Sequence, residues 1–495
     1  MLLACCALAQ TNRLGRIDFP TSGPPSAQRR FIQGVLLLHS FQYREAREQF
    51  QAALKSAPMF AMAYWGEAMT YNEPLWFAQD AAAARAVLRR APQAATARER
   101  AWLNAIAVLY GSGKKEDRDF AYAAAMRHLY EAYPEDHEAA AFYALSLLGT
   151  AHAGRNYRIY MQAAAIAEDI LARNPEHPGA LHYAIHCYDD PVHAPLGLRA
   201  ARVYAKIAPA SAHALHMPSH IFFAMGLWDD AASSNEASFR AAHPAEAARW
   251  HALWWLGYAY LQQGRYADAR GLLQTAMDAS LIARFHLIQM RAMYSIETGE
   301  PYAESADTAG LDLPAVAADL FAAGWSALNQ GRRETAERSL KLLRALRPTG
   351  AGTAHAGHTY AGDEQAVRIM EHELAAMLLM TDGKSREAID LMKTAVALED
   401  RMPYEFGPPL PPKPSHELLG EMLLSLSQPQ LARVQFELAL QRAPNRALSL
   451  LGRARALEQS RNHAEATIAW AELRRIWTKA DPAIKKALKE TRPNP

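Results

Sequence analysis

Small and large apolar residues return at the same offsets along most of this chain, and that recurrence restricts the fold more than any other feature. Gly34, Ala46, Phe50, Ala53 and Pro58 form one set. The offsets recur as Gly420, Ala432, Phe436, Ala439 and Pro444, and as Gly324, Ala336, Leu340, Leu343 and Pro348. Gly257, Ala269, Leu273 and Ala276 repeat them without the proline. Pro58 and Pro92 are 34 residues apart, as are Pro175 and Pro209. A fixed period of this length points to a repeated pair of helices stacked on its neighbours. Each position has a physical reason. Glycine or alanine lets the first helix approach the second, and the large apolar side chain fills the groove between units. Proline ends the second helix because it lacks an N–H and clashes with the preceding turn.

Laid end to end, the pattern gives about twelve units, beginning near Ala27, Ala61, Ala95, His137, Pro178, Ala212, Trp250, Phe285, Ala317, Ile369, Lys413 and Ala447. It resembles the tetratricopeptide repeat family over roughly residues 27–480. The resemblance implies an all-α fold, a right-handed α-solenoid of about twelve helix pairs. It also implies a concave groove lined by the second, fifth and ninth positions of each first helix. The segments HYAIHCYDDP, HALHMPSHIF, FGPPLPPKP and PNRALSLLGRARA would mark a His-rich, exported bacterial branch of that family.

Four stretches are expected. Residues 1–26 read as a signal-peptide remnant and N-terminal segment, because the apolar start ends in Ala7-Leu8-Ala9, a cleavage-type pattern. Leu2-Leu3-Ala4-Cys5 also passes as a lipoprotein box. Residues 27–350 form the main solenoid with a His-rich concave site at 178–260, 351–412 an interrupted unit with His/Gly and Pro-rich loops, and 413–495 the C-terminal units. Extra residues around Gly111–Asp119 and Ala151–Arg158 read as lengthened loops. The proline-dense Met402–Pro414 cannot be regular helix, yet Tyr404, Phe406 and Leu410 predict that it packs against the repeats. The expected location is periplasmic or secreted; the alternative is a cytoplasmic chain with an apolar first segment. Removing the leader would leave Cys187 alone, so packing must hold the fold without disulfides.

With 53 basic and 51 acidic residues the net charge is +2, and no basic stripe interleaved with aromatics is present, so nucleic acid is not the expected partner. No apolar run is long enough to span a membrane.

Chemistry concentrates between Pro178 and Trp228. His182 and His186 stand i, i+4, and so do His216 and His220, one 34-residue repeat later. That spacing puts both rings of each pair on one helix face. Packed helices lie about 8–10 Å apart, so rings from two neighbours can share one ion. His213 and His251 occupy the second position of their units and join the set. Zinc and copper favour imidazole, and three or four such ligands make an ordinary site. Asp189 and Asp190 follow the first pair and would complete or orient the ligand shell. Cys187 would point off the histidine face and reads as a core thiol. Pro218 lies where the first helix of its unit should run, so it either kinks that helix toward a common point for His216 and His220 or marks a late start near Leu215 that leaves His213 outside.

Other polar residues fall at groove positions. Glu373, Glu417, Glu421 and Arg455 form a second cluster, read as acid–base machinery or, more simply, as a salt-bridged solvated face. Lys413 and His416 should lie near it. Toward the N-terminus, Trp65 would line the groove and Glu67 would be a buried partner for a distant histidine. Asp189 or Glu67 is the candidate general base if a bound zinc activates water. The HExxH, zinc-deaminase and c-type haem signatures are absent. Two readings follow: a zinc- or copper-binding protein taking a small molecule or peptide in its concave groove, with hydrolytic or redox chemistry open, or a non-enzymatic peptide- or protein-binding scaffold. The repeat scaffold is more often a binder than an enzyme. The sequence leaves oligomeric state open.

Overall fold

The structure, a computed structural model, describes residues 13–244, 246–277, 283–302, 308–346, 363–404 and 406–490. The expectations for Cys5, for Ala7-Leu8-Ala9 and for nearly all of 349–363 lie outside the described residues. The fold is all-α. Its one β element among the described residues is a two-stranded antiparallel ribbon that pairs Asn72 with Gln79 and Glu73 with Ala78. No described helix is long and apolar enough to cross a membrane.

The chain divides into two compact units, one of residues 1–189 with 193–221, the other essentially of 222–356 with 360–495. The first opens with α1 (Pro25–His39), α2 (Tyr43–Ser56), α3 (Ala61–Met69) and α4 (Ala81–Leu88). It continues with α5 (Ala97–Leu109), α6 (Lys115–Ala132), α7 (His137–Leu148) and α8 (Tyr157–Arg173). Then come α9 (Pro178–Tyr188), α10 (Ala194–Ile207), α11 (Ala212–His216) and the start of α12 (Pro218–Ala224). Most of these helices pack on their sequence neighbours, as stacked pairs require, and α1 also meets α9. Phe19, Phe31, Trp65, Trp102 and Phe142 build an aromatic core here, with Trp65 and Trp102 rings 5.0 Å apart in an edge-on arrangement.

In the second unit, α13 (Trp228–Ala241), α14 (Ala247–Gln262), α15 (Tyr266–Met277) and α16 (Arg284–Thr298) come first. They are followed by α17 (Leu313–Asn329), α18 (Arg333–Ala345), α19 (Asp363–Thr381) and α20 (Ser385–Glu399). The run ends with α21 (Ser415–Ser425), α22 (Pro429–Arg442), α23 (Ala447–Gln459), α24 (His463–Ile476) and α25 (Pro482–Glu490). The proline-dense segment between α20 and α21 lies against this unit. Phe406 lies tilted beside Trp255, and Tyr404 and Leu410 line a recess with Trp228 and Tyr258.

The repeat offsets correspond to tight helix contacts. A Cβ added at Gly34 of α1 would stand 2.6 Å from the Phe50 ring, and one at Gly66 of α3 would stand 2.3 Å from it. The same wedge recurs in the second unit, where Phe436 of α22 sits between Gly420 of α21 and Gly452 of α23, at 2.9 and 2.2 Å. Glycine is required on both sides because the ring occupies the volume of a methyl group.

Candidate metal centre

The histidines are positioned by capped, interrupted helices. His177 is the N-cap of α9, its ring Nδ1 accepting from the Ala180 N–H at 3.1 Å, and Pro178 follows at the first helical position. The i, i+4 spacing then stacks His182 over His186, with Nε2 atoms 3.1 Å apart. Ser211 caps α11 by accepting from Ala214 N–H, so His213 lies inside that helix, not outside it as a late start would have required. The helical run is interrupted at Met217, whose backbone stays in the helical region, and resumes with Pro218 at the head of α12. Across this break His216 and His220 still meet, Nε2 to Nε2 at 3.2 Å.

His213 completes the first pair, its Nε2 also 3.1 Å from that of His182. One ring nitrogen from each of these three residues lies within 4.8 Å of the others, as do one atom each of His186, Asp189 and His220. In a tetrahedral shell with metal–nitrogen bonds of about 2.0–2.1 Å, neighbouring nitrogens stand about 3.3 Å apart, so the 3.1 Å separations fit one ion.

Tautomers decide which clusters can ligate. The His182 Nδ1–H donates to the His39 carbonyl at 2.7 Å, which leaves the Nε2 lone pair for a metal. His220 Nδ1–H likewise donates to Asp189 Oδ2 at 2.9 Å, and His186 Nδ1 stands 3.4 Å from the same oxygen. Asp189 is fully buried at the end of α9 and pairs with the Arg155 guanidinium. Arg155 also donates to the Cys187 carbonyl at 3.3 Å, which holds the C-terminus of α9. Burial alone would raise the Asp189 carboxyl, but Arg155 and the imidazole N–H groups of His186 and His220 outweigh it and hold it well below the usual carboxylate range. A carboxylate that acidic is a weak base. Asp189 therefore orients imidazoles, and the general-base expectation for it finds no support in this environment.

Burial, reinforced by neighbouring histidines, lowers His182 and His213 well below the usual imidazole value. His220 is pushed down to about 4 by burial, against the pull of Asp189. These rings are neutral at pH 7, the form that binds metal. Phe41 covers the first pair, its ring 4.3 Å from His182 and 5.5 Å from His213, and its backbone takes the left-handed φ of 53°. Trp76 adds an edge contact to His213 at 6.4 Å.

A second titratable cluster in this unit has a different character. His39 Nε2 and His177 Nε2 approach the two oxygens of Glu138 at 2.7 and 3.0 Å, all three side chains fully buried. His177 uses its Nδ1 lone pair at the cap, so its Nε2 carries the proton and cannot ligate. His39 Nδ1 meets the Tyr183 hydroxyl at 2.8 Å. The two imidazoles outweigh the effect of burial and hold Glu138 down to about 2. This is a satisfied hydrogen-bond network around one buried carboxylate.

Other expected site residues fall elsewhere. Trp65 is in the aromatic core and lines no groove, because its ring is enclosed by Phe19, Trp102 and Phe142. Glu67 is buried but bonds Gln51 at 2.9 Å and faces Arg90 at 3.6 Å; the carboxylate that serves histidines is Glu138. Cys187 is a buried thiol raised far above its ordinary value by that burial, as a core residue should be. Asp190 is buried in the second unit, accepting from Val192 N–H at 3.0 Å. His251, also in the second unit, lies tilted against Trp255 at 5.4 Å and 6.0 Å from the ring of His286.

The acidic cluster is salt-bridged but buried, not a solvated face. Glu417 receives a forked pair from Arg446, at 2.7 and 2.9 Å, together with Lys413 Nζ at 2.9 Å and Ser449 Oγ at 2.5 Å. Lys413 also holds Glu421 at 2.6 Å, and Arg446 reaches Glu297 and the Tyr258 hydroxyl. Arg455 is exposed, and Arg446 takes the place expected for it. Glu373 accepts from Ser415 Oγ at 2.7 Å in the same region, where burial raises its carboxyl well above the ordinary value.

Residues 219–280 match the model of a family described as Tetratricopeptide repeat. No curated protein matches the sequence. Among solved structures, the chain is similar to the APC/C hetero-tetramer Cut9-Hcn1, with 12 % identity and a TM-score of 0.35, covering 99 % of this chain and 81 % of that one. It is also similar to the human IFIT1 dimer with m7Gppp-AAAA, at 14 % identity and a TM-score of 0.39, covering 95 % and 93 %. For yeast Tom70 the values are 13 %, 0.33, 94 % and 92 %. Likeness at this level transfers neither ligand nor partner. The match at 219–280 supports repeats of the tetratricopeptide type, and the stacked helix pairs agree with it.

Proposed function

We propose that this protein binds a transition-metal ion, zinc or copper, through Nε2 of His182, His186 and His213. One observation carries the reading. His182 Nε2 lies 3.1 Å from both other Nε2 atoms while its Nδ1–H is committed to the His39 carbonyl. Imidazole nitrogens at this spacing, the central one oriented from behind by a backbone carbonyl, are what zinc or copper prefers. A bound ion would leave a fourth position for water or a ligand. Binding is favoured over hydrolysis, because Asp189 is locked by Arg155 and Glu67 belongs to a separate contact set. The apolar N-terminal segment with Ala7-Leu8-Ala9 supports a periplasmic or secreted location.

The reading is tested by elemental analysis of the purified protein beside the His186→Ala/His220→Ala double variant. Bound zinc or copper in the parent, lost in the variant with its helical circular dichroism intact, is the expected result. A parent that holds no metal after reconstitution, or a variant with unchanged metal content, would overturn it.

A further inference from the structure

His216 and His220 stand apart from the three-histidine set yet repeat its construction. Their Nε2 atoms face each other at 3.2 Å, again close to the tetrahedral edge of about 3.3 Å. Asp189 fixes the His220 ring through Nδ1, so the Nε2 lone pair points toward His216. On the other side, His216 Nδ1 faces the Ser219 hydroxyl at 3.4 Å. Both rings are buried, at 3 % exposure each. The approach is made across a broken helix, with Pro218 heading the second segment. A break in an otherwise helical repeat departs from local preference, and such departures mark functional sites.

The two sets are adjacent. The rings of His186 and His220 are 5.2 Å apart, and those of His213 and His216 6.1 Å. A single oxygen, Asp189 Oδ2, contacts His186 Nδ1 at 3.4 Å and His220 Nδ1 at 2.9 Å. One carboxylate thus orients one ring of each set from behind.

We infer that His216 and His220 hold a second divalent cation beside the first, making the centre dinuclear. The inference rests on the proposed three-histidine site. Two imidazoles supply half of a four-coordinate shell, and the remaining positions take water, hydroxide or an oxyanion such as phosphate or a carboxylate. Paired ions of this kind clamp an oxygen ligand between them.

The test uses the full chain freed of metal and titrated with Co(II), read by bound cobalt per chain and by d–d absorption. Two cobalt ions are expected in the parent protein, and one in each of the His216→Gln and His213→Gln variants. One ion in the parent, retained in His216→Gln, overturns the second site and leaves the first standing. No cobalt in the parent removes the three-histidine site and this inference with it. A readout free of any folding concern comes from the parent loaded with Cu(II). Magnetic coupling between two close ions should broaden the electron paramagnetic resonance signal and produce a half-field line at the second equivalent. An isolated-copper spectrum through two equivalents overturns the pair.

Discussion

Glu138 shows how much a single buried carboxylate can organise. It receives an N–H from His39 on α1 and one from His177 at the head of α9, so it ties together helices far apart in sequence. The His39 carbonyl in turn holds His182 in the tautomer that a metal needs. Glu138→Gln removes the charge and gives one N–H a donor to face. A hydrogen bond to a buried charged group is worth about 1.5–3 kcal/mol, and a loss of that size is expected in urea unfolding. A change under about 1 kcal/mol would mean the pair is worth no more than an exposed one. Glu417 makes a prediction in pH. Burial would raise its carboxyl, but Arg446 and Lys413 hold it down to about 2. An unfolded glutamate titrates near about 4.3, so Glu417 contributes stability that is present above that pH and lost as pH falls toward 2. Glu417→Gln should flatten the stability profile over that acid range, measured by denaturant midpoints. Glu373 has the opposite sign: burial raises its carboxyl, so its contribution is present below about 4.3 and lost as pH rises toward its folded value. Glu373→Gln should therefore hold its stability at pH 8 where the parent declines, and equal slopes for the two proteins would contradict this.

At the scale of helices, the recurring offsets were legible because they describe contacts inside one repeat. Gly34, Phe50 and Gly66 lie within a single unit and the start of the next, and the ring-in-glycine wedge they form is repeated at Gly420, Phe436 and Gly452. The histidine pairs were legible for the same local reason, since i, i+4 spacing sets a common face whatever surrounds it. What the sequence hid were partners chosen by three-dimensional packing. Glu138 meets His39 at a separation of 99 residues, and Arg446 meets Glu417 at 29. Arg155 sits in what read as a lengthened loop, yet it neutralises Asp189. One signal was available for His177, which precedes Pro178 at an N-cap position. For Glu138 it was a lone carboxylate in the apolar run HEAAAFYALSLL. The wedge itself can be tested with Gly66→Ala. Alanine gains roughly 1 kcal/mol of helix propensity over glycine, but its Cβ would lie 2.3 Å from the ring of a fully buried Phe50. Overpacking of that kind costs about 1–3 kcal/mol, so net destabilisation is expected in thermal melts. A raised midpoint would show that the ring can move aside.

Across the whole molecule, the proposed metal binding would be linked to stability through the unit that carries its ligands. The candidate ligands His182, His186 and His213 belong to the unit of residues 1–189 and 193–221, while α13 to α25 build a separate core around residues such as Phe321, Met370 and Phe436. An ion that binds the folded form alone stabilises it by about 2.7 kcal/mol at a hundredfold excess over its dissociation constant. The ligands all lie in one compact unit, so that gain should be largest there. Hydrogen exchange of the metal-free chain, compared with the zinc-loaded one, should show slower exchange in α9 and α11 and in the end of α1 that carries the His39 carbonyl. The helices α17 to α20 should exchange at the same rate in both. Adding a chelator to the loaded protein should restore the faster pattern, because the change follows occupancy and not history. Uniform protection of both units would mean that zinc acts on the assembly as a whole, and unchanged exchange in α9 and α11 would count against an ion at the histidines.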